Sequence, residues 1–170
     1  MTGNQTMIET TLYQATEADL DWIVSQEQRE DFAAFIHCWP KTEHLRNLGD
    51  PNMHYLIARD QGGHRLAFVI LAGLLSAARS IELDRVAVVE PGTGIGRPVL
   101  RQVCEIVFNE FEANRLWLDV FEDNHRARHV YKTIGFREEG ILREAMLDRN
   151  GQLGSLVIMS ILAREYRADF

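Results

Sequence analysis

Three glycines at alternate positions, Gly92, Gly94 and Gly96, point to the binding of a phosphate group. They follow an apolar run of β type at residues 86–89, the first of them forms a Pro-Gly pair with Pro91, and they lead into a helical pattern. A strand that ends at closely spaced glycines before a helix leaves backbone N–H groups unpaired at the positive end of the helix dipole, where phosphate oxygens bind. We therefore interpret this turn as a phosphate-binding loop.

The residues after the glycines narrow the class of phosphate ligand. A dinucleotide-binding turn has the pattern GxGxxG, but Arg97 stands where the third glycine would follow Gly92 and Gly94. A nucleoside-triphosphate loop has Gly-Lys-Ser/Thr, and no lysine follows here. Two interpretations remain: a plain turn, or a loop whose backbone amides hold a diphosphate with Arg97 as a charged partner.

A second candidate group consists of Asn124 and Tyr131 in the segment 119–136. They are seven residues apart, about two helical turns, so both side chains would project from nearly the same face of a helix. A helix cap and a half-buried tyrosine would explain the pair without any function. Beside a phosphate-binding loop, however, the hydroxyl of a tyrosine can donate a proton to a leaving group.

The apolar pattern predicts the elements that position these residues. Strands are expected at residues 8–14, 55–59, 65–71, 81–89, 116–121, 136–147 and 153–163, and helical segments at 17–49, after the glycines, and from Asn124 to Gly135. The unit 81–121 reads as strand, helix, strand, so its two strands should be parallel. We predict an α/β fold: a mixed, mostly antiparallel sheet of six to seven strands with a central parallel pair and flanking helices.

Composition limits the partners. With 170 residues, 46% of them hydrophobic, and a formal charge of -7, the chain can form one domain, residues 1–170, and does not resemble proteins that neutralise nucleic-acid phosphates. It has no secretory leader pattern and no apolar run near the roughly 18 residues of a membrane span. We expect a cytoplasmic protein without nucleic-acid or membrane partners. A homodimer is compatible with the sequence, although no single residue indicates one.

The cysteines and histidines do not have the spacing of a metal site. Cys38 and Cys104 are far apart and lie beside apolar residues, so we expect free, buried thiols. His125 and His129 are four residues apart, but HRARH lacks the glutamate of HExxH and no third ligand is apparent. We therefore expect no metal.

The run GTGIGRPVL, followed by RLWLDVFEDNHRARHVYKTIGFREEGILRE, resembles the two central motifs of the GNAT superfamily of acetyl-CoA-dependent N-acetyltransferases. The resemblance covers essentially the whole chain and is most specific over residues 81–143. Within the superfamily, LWLDVFEDN and GFREEGILRE are similar to the branch that contains the ribosomal-protein N-terminal acetyltransferases. The resemblance implies a GNAT-like sheet, acetyl-CoA as co-substrate and a primary amine as acceptor.

The same resemblance implies a role for each candidate residue. The pantetheine arm of the cofactor would pair with the backbone of Val86, Ala87 and Val88. The diphosphate would lie in the loop formed by Gly92, Thr93, Gly94, Ile95, Gly96 and Arg97. Asn124 would bond the cofactor arm near the thiol, and Tyr131 would protonate the departing thiolate. Two prolines depart from the family's pattern Q/RxxGxG/A, because Pro91 replaces the Gln or Arg and Pro98 supplies no N–H.

Transfer of an acyl group from a thioester to an amine needs the neutral amine, and two carboxylates compete for the role of base. Glu82 lies on the strand before the loop and resembles the glutamate of several family members, whereas Asp119 matches the base position of the ribosomal alanine acetylases. Either carboxylate could instead be solvated or paired with Arg85 or Arg115. We favour Glu82, because its longer side chain, or one water, can reach an amine between the strands.

The sequence leaves three functional interpretations. The first is an N-acetyltransferase that uses a ternary complex with acetyl-CoA and an amine. The second is a non-catalytic acyl-CoA-binding regulatory module, which the replacement at Pro91 suggests. The third keeps the fold but uses a longer acyl donor. No motif identifies the acceptor, so an antibiotic, a polyamine, an amino acid and a protein N-terminus all remain open.

Overall fold

The computed structural model describes residues 9–33, 38–148 and 150–169. Its centre is a seven-stranded sheet in the order β1-β2-β3-β4-β5-β7-β6, in which only the β4–β5 pair is parallel. The predicted mixed sheet with one parallel pair is confirmed. The strands are β1 (Thr11–Gln14), β2 (Met53–Arg59), β3 (Arg65–Ala72), β4 (Ser80–Val88), β5 (Arg115–Phe121), β6 (Arg137–Leu147) and β7 (Leu153–Leu162).

Helices flank the sheet on both faces. In the described residues the α-helices are α1 (Leu20–Glu27), α2 (Glu30–Ala33), α3 (Lys41–Leu48), α4 (Gly96–Glu105), α5 (His125–Ile134) and α6 (Ala163–Asp169). A 3₁₀ turn (Glu17–Asp19) precedes α1, and a π-helical turn (Ile106–Glu110) continues α4. The helical segment expected at 17–49 comprises α1 to α3, and its residues 34–37 lie outside the described residues. The last expected strand stops at Leu162, because the chain turns there into α6, which the apolar pattern did not reveal.

The two faces of the sheet carry separate apolar layers. On one face, α4 and α5 pack on the central strands, for example through Val103 and Ile134. On the other face, Leu20 and Ile23 of α1 pack on Phe68 and Ala87. We call these the α4–α5 face and the α1–α3 face. Since side chains alternate along a regular strand, each side chain of β5, and of β4 before and after Asp84, faces one of these two layers.

Strands β4 and β5 separate soon after they meet. Their parallel pairing joins Ser80 to Arg115, Ile81 to Leu116 and Glu82 to Trp117, and no further pair joins them within the described residues. Beyond these pairs, β4 continues on β3, and β5 continues on β7. An opening therefore forms between two neighbouring strands at the centre of the sheet.

A β-bulge lies on β4 at this opening. Ile70 of β3 pairs with Arg85, and Leu71 pairs with Leu83, so Asp84 is an additional residue without a partner on β3. Bulges of this kind redirect side chains and increase the local twist of a strand. Asp84 lies two residues after Glu82, the last residue of β4 that pairs with β5.

The cysteine prediction was half right. Neither cysteine forms a disulfide, and Cys104 is buried in the α4–α5 layer, but Cys38 is exposed. Cys38 lies in the connection between α2 and α3 rather than on the apolar side of a helix. The apolar residues beside it in sequence therefore predicted its burial wrongly. No helix within the described residues is both long and apolar enough to cross a membrane.

Candidate active site

The glycine loop has the strand, turn and helix arrangement that the sequence predicts. Gly92 and Gly94 have φ angles of 96° and 84°, which glycine adopts without the strain that a side chain would bring. Helix α4 begins at Gly96. In the described residues no acceptor pairs with the N–H groups of Gly92, Gly94, Ile95, Gly96 or Arg97. Free amides therefore converge at the start of α4, where an anion is favoured.

A cation that the sequence interpretation missed lies beside this loop. A β-carbon added at Gly92 would lie 3.6 Å from Nη2 of Arg126, near the start of α5. Arg126 is exposed, and no carboxylate or carbonyl of the described chain pairs with its guanidinium. Arg97 is also exposed, on the first turn of α4. Arg126 could have been found from its place two residues after Asn124, once α5 was positioned against the loop.

Asn124 and Tyr131 belong to one short helix, α5, and Tyr131 lies in its last turn. Asn124 is the N-cap of α5, and its Oδ1 accepts a hydrogen bond from the N–H of Ala127 at 3.2 Å. The cap uses the oxygen and leaves the side-chain amide protons as donors. Tyr131 is buried in the α4–α5 layer, with its ring centroid 5.7 Å from that of Phe136. Burial and, to a lesser degree, the charge of Asp119 raise the pKa of Tyr131 above its ordinary value, so the phenol stays protonated.

Glu82 and Asp119 lie on either side of the opening. Each sits between residues of the α4–α5 layer, so both side chains project toward the α1–α3 face. Burial and the charges of Asp84 and Asp119 raise the pKa of Glu82 to about 7. Asp119 is exposed, yet the protein around its carboxylate removes part of its hydration and raises its pKa.

Neither carboxylate takes part in an ion pair with the described residues. Arg85 pairs with Glu27 at 2.5 Å, and Arg115 pairs with Glu139 at 2.6 Å. The two arginines that the sequence offered as partners are therefore engaged elsewhere. The alternative in which Glu82 or Asp119 is a salt-bridged strand residue does not fit this geometry.

Asp84 is a third carboxylate at the opening, and the sequence interpretation did not include it. Burial, and to a smaller degree the charge of Asp119, raises the pKa of Asp84, while the charge of Arg85 lowers it. Its Oδ2 is buried and accepts no hydrogen bond, although it lies 3.5 Å from Nε of Arg85. Only the bulge brings Asp84 into this group, and a bulge depends on pairing with another strand.

The sequence that forms this site matches the profile of a known protein family. The acetyltransferase (GNAT) family profile matches residues 12–136, which is more than half of the chain and includes the loop, the opening and α5. The chain belongs to the GNAT acetyltransferase family. The resemblance inferred from the two motifs is thereby confirmed, as is the enzyme class of the family.

Curated relatives of this GNAT chain are N-acetyltransferases. It is 30% identical over 112 residues to the N-alpha-acetyltransferase RimI of Mycobacterium tuberculosis, covering 62% of this chain and 65% of the relative. It is 27% identical over 123 residues to a putative bS18-alanine N-acetyltransferase of Bacillus subtilis, covering 71% and 78%. The match to the first relative thus spans slightly less than two thirds of that protein's length.

Solved structures agree on the fold. The spermidine N-acetyltransferase of Vibrio cholerae, crystallised with CoA and spermine, superposes with a TM-score of 0.85 over 93% of this chain and 98% of its own. The two sequences are 22% identical, so the likeness concerns the fold alone. Acetyl-CoA is the co-substrate of this family. Within the described residues of this GNAT chain, no three His, Cys, Asp or Glu side chains are grouped to hold a metal ion.

Proposed function

We propose that this chain is an N-acetyltransferase that transfers the acetyl group of acetyl-CoA to a primary amine by direct attack in a ternary complex. The observation that carries this proposal is the opening between β4 and β5, which has the carboxylate of Glu82 at its closed end. The protonated phenol of Tyr131 is close enough to Asp119 for the charge of that carboxylate to raise the phenol's pKa. Direct transfer needs a proton acceptor for the amine and a proton donor for the thiolate, and these two groups supply them.

The cofactor would enter the opening along β4. The backbone of Val86, Ala87 and Val88 lies beyond the last residue pair with β5, so its outer edge is available to the amide groups of the pantetheine arm. The free amides from Gly92 to Arg97 would hold the diphosphate. The side-chain amide of Asn124 would bond the arm near the thioester, which would direct the sulfur toward Tyr131.

Glu82 is the better candidate for the base. A general base is most effective when its pKa lies near the working pH, and the pKa of about 7 meets this requirement. At pH 7 an α-amine with a pKa near 8 is roughly one tenth neutral, whereas a lysine-type amine is neutral in only a few molecules in ten thousand. Glu82 would therefore contribute most with the more basic acceptors. In this assignment Asp119 keeps Tyr131 protonated and orients the ammonium group.

The acceptor is proposed as a primary amine of a small molecule or of a protein N-terminus. Three carboxylates at the opening favour a cationic substrate over a neutral one. The named relatives include both classes, because one is a putative ribosomal-protein bS18-alanine N-acetyltransferase and the structural neighbour is a spermidine N-acetyltransferase crystallised with spermine.

A screen of amines tests the function. Acetyl-CoA is incubated with the protein and with spermidine, amino acids, aminoglycosides and N-terminal peptides, and the release of free thiol is followed. We expect acceptor-dependent release with at least one amine. If the protein bound acetyl-CoA tightly and released no thiol with any of them, the non-catalytic acyl-CoA-binding module would replace this proposal. Propionyl- and succinyl-CoA in the same assay identify the acyl donor.

Arg126 would supply the charged contact that Pro91 cannot. We predict that Arg126→Ala raises the KM for acetyl-CoA about tenfold or more and leaves kcat unchanged, since a hydrogen bond to a charged group contributes about 1.5–3 kcal/mol. Arg164→Ala is the matched control, because Arg164 is exposed on α6, and α6 packs through Tyr166 on Phe108, at the far end of α4 from the loop. An unchanged KM in Arg126→Ala would show that its guanidinium does not meet the phosphates.

We also propose a homodimer that forms through β6. Every residue of β6 is exposed, and β6 is the last strand of the sheet. The β6–β7 hairpin exposes large apolar side chains at Ile141, Leu142, Leu147 and Leu153. Two antiparallel edges of this kind can pair about a two-fold axis. Sedimentation equilibrium should give twice the 19.5 kDa of one chain, and a constant single-chain mass would exclude the dimer.

The remaining parts of the proposal concern context. Residues 1–170 would act as one N-acetyltransferase domain in the cytoplasm, without a nucleic-acid or membrane partner. The net charge of -7 supports the first of these absences, because phosphate backbones repel an acidic surface.

A further inference from the structure

Arg85 is a buried charge that no step of the proposed reaction uses. It lies on β4 and is 6% exposed. Its Nη1 donates a hydrogen bond to Oε1 of Glu27 at 2.5 Å, and its guanidinium carbon lies 3.4 Å from the centroid of the Trp39 ring. Glu27 and Trp39 both belong to the segment that covers the α1–α3 face of the sheet. One side chain thus joins the strand of the active site to its cover.

The carboxylate of Glu27, which pairs with Arg85, also contacts two other groups. Glu27 is fully buried, and its Oε2 accepts a hydrogen bond from the N–H of Trp39 at 3.0 Å and lies 3.3 Å from Nε2 of His44. Nδ1 of His44 lies 3.2 Å from the hydroxyl of Tyr55. Burial alone would raise the pKa of Glu27, but the hydrogen bond from His44 and the charge of Arg85 lower it below its ordinary value. The anchor for Arg85 is therefore an ionised carboxylate.

The anchored guanidinium borders the bulge of β4. Asp84 has no partner on β3, so the ladder of hydrogen bonds does not fix its position. Its Oδ2 instead lies 3.5 Å from Nε of Arg85. Asp84 and Glu82 are close enough for the charge of one to act on the other. The position of Asp84 relative to the proposed base therefore depends on where Arg85 is held.

We propose that Arg85 is a positioning residue of the acceptor site: clamped between Glu27 and Trp39, it holds the bulged Asp84 beside Glu82 in the opening between β4 and β5. The consequence of this role for catalysis rests on the proposed function, whereas the arrangement of the three residues around Arg85 does not. The charge of Arg85 favours the ionised form of Asp84 against the effect of burial, and the charge of Asp84 disfavours the ionised form of Glu82. Arg85 thereby acts on the base through Asp84.

Other titratable groups also face Arg85 and the two carboxylates. They come from α1, the connection before α3, α3 itself, β2 and β5, and they are Glu27, Cys38, His44, Tyr55 and Asp119. Because all of these charges act on Glu82 or Asp84, a shift of the Glu82 midpoint in a single variant does not show which group transmits it. Measuring the effect of the Arg85 substitution in proteins with and without the Asp84 carboxylate shows whether Asp84 transmits it.

The test follows the titration of Glu82 directly. The side-chain carboxyl carbons of glutamate are labelled with ¹³C, the Glu82 resonance is assigned by its loss in Glu82→Gln, and its midpoint is measured by NMR. In Arg85→Met we expect the midpoint to move to lower pH by at least half a unit, because Asp84 then stays protonated to higher pH and repels Glu82 less. Arg85→Lys keeps a charge and should move it less.

Two comparisons make the result decisive. Asp84→Asn should produce a similar downward shift, and adding Arg85→Met in that background should produce no further one. Arg65→Met is the matched control, because Arg65 pairs through Nε with buried Asp19 at 2.8 Å on another part of the fold and should leave the midpoint unchanged. If Arg85→Met moves the midpoint equally with and without Asp84, or leaves it in place, the positioning role is wrong.

The same titration separates this inference from the proposed function. It needs no substrate, so a protein without transferase activity can still show the shift that depends on Asp84. If the protein is active, the rise in kcat/KM for the amine with pH should move to lower pH in Arg85→Met together with the Glu82 titration, while the KM for acetyl-CoA stays within about twofold, as expected for a group that acts on the base.

Discussion

The substitution Tyr131→Phe is expected to lower kcat by about a hundredfold or more and to leave the affinity for acetyl-CoA unchanged. A positioned general acid contributes typically about 10²–10⁴-fold to a rate. The phenol fits this role because burial and the nearby Asp119 charge raise its pKa, so it holds its proton until a thiolate forms. Phenylalanine preserves the packing against Phe136 and removes only the donor. Steady-state kinetics and calorimetric titration with acetyl-CoA measure the two quantities.

A second tyrosine provides the control for this change. The ring of Tyr166 stacks on Phe108 with a centroid distance of 5.0 Å and packs against the same apolar layer, but at the other end of α4. Tyr166→Phe should therefore keep kcat. Full turnover in Tyr131→Phe would mean that the thiolate leaves without a proton from this residue, and the acid would have to be removed from the mechanism.

Glu82→Gln is expected to lower kcat/KM for the amine by about a hundredfold at pH 7.5 and to change the shape of its pH profile. A base must be ionised to accept a proton, so activity should rise as the pH increases through about 7, the pKa of Glu82. In the variant this rise should disappear, and only the rise caused by deprotonation of the acceptor amine should remain. Rates measured from pH 5.5 to 9.5 with one amine distinguish the two profiles.

Asp119→Asn decides between the two candidate bases. If Glu82 is the base, Asp119→Asn keeps the rise in activity, and the midpoint moves to lower pH because one repelling charge is lost. If Asp119→Asn instead removes the rise and Glu82→Gln retains it, the assignment of the base is reversed.

Stability offers an independent measurement on the same variant. The folded protein favours the protonated form of Glu82, so this residue contributes stability below the unfolded pKa near 4.5 that is lost as the pH rises through about 7. Glutamine carries no charge to desolvate. Glu82→Gln should therefore unfold at a higher temperature than the wild type at pH 8, and a loss of activity cannot then be attributed to unfolding.

Local signals in the sequence were sufficient for much of the site. The loop at Gly92 and Gly94 needs only glycine's freedom at positive φ before a helix, and Asn124 caps α5 through a bond to a residue three positions later. Both depend on neighbours in sequence. The parallel pair followed from the strand, helix, strand order, because a helix between two strands returns the chain in the same direction.

Other parts of the site depend on contacts that are distant in sequence. Asp84 enters the opening because β3 and β4 pair with a shift in register, and nothing near Asp84 in sequence indicates that shift. Arg85 and Glu27 are 58 residues apart, so the sequence did not reveal their pairing, and Arg85 was considered only as a partner of Glu82 or Asp119. Arg126 lies beside the glycine loop because α5 packs there, and that packing is not visible in the sequence.

The short contact between β4 and β5 also has a mechanical consequence. Three residue pairs join one group of strands, β1 to β4, to another, β5 to β7, and hydrogen bonds from the N–H groups of Asn114 and Arg115 to the carbonyl of Arg79 lie beside these pairs. Farther along the two strands, apolar contacts join these two panels. Such contacts have little directional preference, so the panels can hinge by small amounts without breaking a hydrogen bond. A pantetheine arm paired to the free edge of β4 would bridge the two panels and limit their hinge motion. Binding of the cofactor would therefore stiffen the sheet, and its release would restore the motion, in each turnover.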